Sequence, residues 1–153
     1  MKANHTAADI ARWFISHNHV KAMLDEADDI SNLKLQKLLY YAQGAVLAIT
    51  GTPLFNDDIV AWEHGPVVPA VYHLYKHNGR NGIPFTDEMR VQEKYTQEEN
   101  GILEDVYNEF GQYSAWKLRN MTHEETPWKS TPKNNVISQT AIAEYFKANY
   151  VEA

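Results

Sequence analysis

From Leu33 to Gly51 the chain reads LKLQKLLYYAQGAVLAITG, with Leu35, Leu38, Leu39, Ala42, Val46 and Ile49 recurring at the spacing of one helical face. Leu33, Tyr40, Gly44 and Leu47 form a second apolar strip on roughly the opposite side. A surface helix needs one apolar face; two predict a helix with neighbours on both sides. Over about Leu33–Thr50 it would run about 27 Å, the width of a small domain. Gly51 is placed to stop it. Gly44 lies mid-helix, where glycine costs roughly 0.5–1 kcal/mol relative to alanine, and predicts close approach of a neighbouring helix.

The same pattern predicts the other elements. Thr6 and Asp9 frame a capping box that starts a helix at Ala7, with Ile10, Trp13, Phe14, His17 and Leu24 sharing a face to about Glu26. The His17-Asn18-His19 triplet is a break point within it, and Asp28 to Asn32 supplies linker and cap chemistry. After Gly51 the period changes, and Leu54-Phe55 with Ile59–Trp62 predicts a small β-hairpin near Leu54–Trp62. Pro69 opens a helix over Ala70 to His77, with Val68, Val71, Tyr72 and Tyr75 inward and Gly79 at its end. Gly79 to Pro84 is the clearest loop, and Phe85 to Tyr95 predicts irregular structure or a short strand. Thr96 and Glu99 cap a helix from about Gln97 to Phe110, stopped at Gly111. Ser114 caps a helix to about Met121, with Trp116 and Leu118 available to the core. Thr122 to Glu125, ahead of Pro127-Trp128, predicts one more turn. Ser138 caps a last helix with Ile142, Tyr145 and Phe146 inward. The expected fold is mostly α, a single compact domain over 1–153 around a buried central helix.

Hydrophobic content of 44%, with 12% aromatic residues, supports a packed core. No cysteine is present, which excludes disulfides, thiolate metal sites and cysteine nucleophiles. The N-terminus lacks the apolar stretch of a signal peptide, and Gln36, Lys37 and Gln43 interrupt the one long apolar run. The expected location is cytoplasmic. Net charge is −6, and all of it comes from Thr86 to Glu109, where eight acidic residues face only Arg90 and Lys94. That balance disfavours nucleic-acid binding. It supplies either a solvated face or an attraction for a basic partner.

No nucleophile elbow, phosphate loop, HExxH or calcium loop occurs, so no catalytic apparatus is visible. His73 and His77 have the four-residue spacing at which two imidazoles hold one zinc, and would serve a small metal-dependent hydrolase. They project away from the apolar face and no third ligand is placed, so two solvated histidines is the better account. His17 reads as a hydrogen-bonded core histidine. Glu63 and His64 are adjacent in an extended segment and point opposite ways, which argues against an acid–base pair. His123-Glu124-Glu125 has suitable residue types with no motif around them. Trp62 to Tyr72 combines a rigid loop, paired prolines and large aromatics. It is either a structural corner or a hot-spot platform for a protein partner.

Asn32-Leu-Lys-Leu-Gln-Lys-Leu-Leu-Tyr-Tyr-Ala-Gln-Gly44, Gly51-x-Pro-Leu54 and Ala61-Trp-x-x-Gly-Pro-Val-Val-Pro-x-Val-Tyr72 resemble the Panacea antitoxin domain. This is the family of SocA-like and phage-associated GepA-like proteins. Tyr113 to Leu118, Thr122 to Lys129 and Ile137-Ser138 continue the resemblance, which covers roughly Ala8 to Phe146 and departs from it in a long His17–Asp29 segment. It implies a helical domain that neutralises a protein toxin, encoded by an adjacent gene, through direct protein–protein contact. In the SocA branch it also implies delivery of the toxin to the ClpXP protease. Its recurring motifs bring no established catalytic role and no cofactor is expected; the interrupted apolar run and the charge balance disfavour a membrane or nucleic-acid partner. Trp62, Gly65, Pro66, Pro69 and Tyr72 match the family signature. With Glu63, His64 and Val67 they are the expected partner-binding residues, joined by Lys34, Lys37 and Tyr41 on one side of the central helix.

Overall fold

The two-faced stripe forms the helix it predicts. In the computed structural model, which describes residues 3–25, 28–90 and 94–151, α1 is Ala7–Asp25 and α2, the central helix, is Asn32–Thr50. A short hairpin follows, β1 Val60–Trp62 and β2 Gly65–Val67, then α3 Pro69–Tyr75, α4 Gln97–Phe110, α5 Ala115–His123, α6 Thr126–Lys129 and α7 Gln139–Asn149. Two 3₁₀ turns, Lys76–Asn78 and Asp87–Met89, occupy the loops between α3 and α4. The protein is mostly α. No helix among the described residues is long and apolar enough to cross a membrane.

Helix α2 is packed by α1, α3, α4, α5, α7 and β2, and every residue from Leu35 to Gly44 is buried. Its buried polar residues are therefore obliged to find partners. Gln43 donates to the Phe55 carbonyl at 2.8 Å and accepts from the backbone of Leu54 at 2.8 Å. Gln36 donates to Asn32 and accepts from the Val68 backbone N–H at 2.9 Å. The side chains that break the apolar run thus hold two loops against the helix.

Local capping chemistry sets the helix starts. Thr6 and Asp9 exchange side-chain and backbone bonds at the head of α1, and Thr96 and Glu99 do so at α4. Ser31, Ser114 and Ser138 each accept a backbone N–H at the heads of α2, α5 and α7. Gly51 closes α2 in a left-handed conformation at φ 81°.

Tertiary packing corrects several expectations. The hairpin pairs Val60 with Val67 and Trp62 with Gly65, not Leu54-Phe55 with Ile59–Trp62. Phe55 is instead tied to Gln43, while β1 takes its second partner from far along the chain. Ala61 accepts from Asn134 at 2.7 Å, and Ile59 accepts from Ile137 at 2.7 Å. The His17-Asn18-His19 triplet does not break α1. Asn18 is buried, accepting from the Tyr107 hydroxyl at 2.7 Å and donating to the Asp28 carbonyl at 3.0 Å. The expected end of that helix at Glu26 lies outside the described residues, and Leu24 is 76% exposed, off the core face. Ile49 and Trp116 are likewise exposed. Asp87–Met89 bears out irregular structure after Phe85, while 91–93 lie outside the described residues.

Candidate partner-binding groove

The hairpin turn at Glu63-His64 is built over a lysine. Gly65 has φ 111°, and a Cβ there would fall 2.8 Å from the Thr122 hydroxyl and 2.9 Å from Lys37 Cε, so both backbone and space require glycine. Lys37 is fully buried beneath it and donates from Nζ to the Pro66 carbonyl at 3.0 Å. Burial, aided by the charge of Arg119, pushes its amine down to about 7. Pro69 begins α3 and holds Val68 extended. Asn32 then donates to the Tyr72 carbonyl at 3.0 Å, fixing α3 to the start of α2.

Two later elements staple the other end of β1. Trp128 donates from its indole to the Trp62 carbonyl at 2.8 Å, and His123 Nε2 meets the Glu63 carbonyl at 2.8 Å. Trp116, at the first turn of α5, is 56% exposed, with the Arg119 guanidinium 4.4 Å above its ring. Arg119 Nε donates to His64 Nδ1 at 3.4 Å. Trp62 packs edge-on to Tyr72 with ring centroids 5.0 Å apart.

Between the head of α2, the hairpin turn, α3 and the head of α5 lies a groove of about 880 Å³. Trp62, Glu63, His64, Val67 and Tyr72 line it, together with Leu33, Trp116, Lys76 and Arg80. Gly65 and Pro66 are buried behind it and Pro69 is half-buried, so these three shape the wall and present little surface. The α2 residues expected to bind a partner are placed elsewhere than on this surface. Lys34 is half-buried and donates to the Gly111 carbonyl at 2.6 Å, Lys37 serves Pro66, and Tyr41 is fully buried. From Leu35 to Gly44 the helix is buried all round and has no surface on which to display Lys37 or Tyr41.

Tyr41 belongs to a second polar cluster. Glu125, 3% exposed, accepts from the hydroxyls of Tyr40 and Tyr41 at 2.9 Å each and of Tyr150 at 2.5 Å. Burial pushes the Glu125 carboxyl up, and the three hydroxyl bonds pull against that shift. Burial and the neighbouring carboxylate hold the Tyr40, Tyr41 and Tyr150 hydroxyls well above the ordinary range. The sequence places Glu125 in a polar triplet and carries no signal for this cluster. Trp116 and Arg80, in the first turn of a helix and a Gly-rich loop, carry no local sign of a place in the groove either.

His73 and His77 are exposed, and no group of three His, Asp or Glu among the described residues stands close enough to hold a metal ion. His17 stacks face to face on Trp13 at 4.6 Å and edge-on to Tyr107, so its setting is aromatic. Glu63 and His64 occupy a tight turn instead of an extended segment, both exposed.

Residues 35–129, which span α2, the hairpin and α3 to α6, match the family described as "Antitoxin SocA-like, Panacea domain". The chain is also 54% identical over 50 residues to Antitoxin SocA of Caulobacter vibrioides (strain NA1000 / CB15N), a match covering 33% of this chain and 27% of that protein. No solved structure matches the chain.

Proposed function

The chain belongs to the SocA-like Panacea antitoxin family, and we propose that it acts as an antitoxin that neutralises a protein toxin by direct contact through the groove between Trp62 and Trp116. One observation carries the choice of surface: Trp62 and Tyr72 pack ring against ring on backbone that Trp128, His123 and Asn32 hydrogen-bond in place, and Arg119 lies over the Trp116 ring beside them. Large rings on a fixed backbone bring contact area with few torsions to order on binding, which is how aromatic anchors come to dominate protein interfaces. The residues matching the family signature divide accordingly, with Trp62 and Tyr72 on the contact surface and Gly65, Pro66 and Pro69 supporting it. The action is binding, not chemistry, and its setting is the cytoplasm.

Co-expression with the product of the adjacent gene tests this. That product should arrest growth alone and be relieved by this chain, with which it copurifies. Trp116→Ala, at a ring 56% exposed, should leave the fold intact while weakening the complex by roughly tenfold or more. Reversing Glu104 and Asp105, which do not line the groove, should leave it unchanged. A harmless neighbour, or one still toxic and unbound beside this chain, removes the proposal. Toxin that disappears only when ClpXP is present would make the chain a protease adaptor, as the SocA branch implies.

A further inference from the structure

The groove differs in charge from the rest of the molecule. Net charge is −6, yet among the described residues the groove is lined by Lys76 and Arg80, with Arg119 over the Trp116 ring, against the single carboxylate of Glu63. Among the described residues none of these three cations is ion-paired. Among the described residues the Arg119 side chain bonds His64 and Asn120, neither of them a carboxylate, and a guanidinium has five N–H donors. The acidic excess of the chain lies between Thr86 and Glu109, and no described residue of that segment lines the groove. Asp28 and Asp29 precede Ser31 at its edge, but the described lining itself carries Lys76 and Arg80 against Glu63, so its own sign is positive.

Resting on the antitoxin reading, we propose that the groove takes an acidic segment of the toxin, in which an aromatic or branched aliphatic side chain flanked by Asp or Glu seats among Trp62, Tyr72 and Trp116. The flanking carboxylates reach Lys76, Arg80 and Arg119. Arginine suits this role because its planar fork matches a carboxylate with two parallel hydrogen bonds. The rings supply the desolvated centre, and the cations supply steering and register. A single-stranded nucleic acid also favours rings beside cations. Three cations, one opposing carboxylate and an overall negative chain give it far weaker support than they give an acidic peptide.

The test uses the intact chain and short fluorescein-labelled peptides with a central Phe-Leu pair, flanked by Asp and Glu, by Ser, or by Lys, beside an oligouridylate of similar length. The acidic peptide should bind roughly tenfold or more tightly than the Ser-flanked one, and lose that advantage at high salt. Lys76→Glu with Arg80→Glu should abolish the preference, and both positions are exposed, so folding should survive. Equal binding of acidic and Ser-flanked peptides overturns the proposal, as does tighter binding of the Lys-flanked peptide or the oligouridylate. Self-association of the free chain that Trp116→Ala abolishes would assign the groove to a second copy and overturn it too. Because the peptides are read without any toxin, failed neutralisation by the wild-type chain bears on the antitoxin reading alone. Neutralisation that persists without an acidic preference overturns the acidic occupant and leaves the antitoxin reading standing.

Discussion

Lys37 keeps a fully buried amine against the Pro66 carbonyl, and that placement has a measurable consequence. Its folded pKa falls to about 7 while the unfolded chain holds the proton to the usual 10.5. Between these values the unfolded state binds the extra proton, so stability rises with pH; below about 7 the full cost of the buried charge is present. Lys37→Met removes that cost. The wild type should therefore gain on Lys37→Met by up to about 1.4 kcal/mol per pH unit between about pH 7 and 10. Urea unfolding of both proteins across that range checks it, and a constant difference would show that the amine does not titrate there. A lysine one turn into a helix beside Lys34 reads as a basic corner in the sequence. Its interior placement depends on Gly65 and Thr122, which arrive from elsewhere in the chain.

At the scale of elements, α7 makes an especially close approach to α2. A Cβ on Gly44 would lie 2.4 Å from the Phe146 ring, which is buried and packed against Tyr40, Tyr41 and Tyr150. Gly44→Ala should thus lower stability by about 1–3 kcal/mol despite a gain of up to about 1 kcal/mol in helix propensity. Adding Phe146→Leu should recover part of the loss in thermal or urea unfolding; a stabilised single variant would refute the close contact. Gly44 as a point of close approach was legible, because glycine inside a strongly apolar helix has few other reasons to be there. The caps at Thr96, Ser114 and Ser138 were legible for a similar reason, since a cap bonds within its own turn. The hairpin partner was not. Leu54-Phe55 and Gly65–Val67 offer β1 comparable apolar neighbours, and the choice was made by Gln43 capturing Leu54 and Phe55.

Across the whole molecule, Glu125 joins α2 to the chain beyond α7 through Tyr40, Tyr41 and Tyr150. Glu125→Ala leaves these hydroxyls without their acceptor and should cost about 3–5 kcal/mol, read as a lower urea midpoint. Tyr150→Phe, which removes one bond and leaves the carboxylate two, should cost about 1 kcal/mol. Equal effects from the two would mean that the cluster is not shared as the distances indicate. The sequence by itself determined the six longer helices and most of their starts, the central place of α2, and the stretch from Trp62 to Tyr72 that carries much of the groove. These follow from periodicity, capping and turn chemistry, which act within a few residues. Only the tertiary structure decided that Lys37 and Tyr41 face inward, that Trp116 and Arg80 complete the groove, and that Glu125 binds three tyrosines. Each of those outcomes depends on which distant side chains share one buried space, and no local pattern records that.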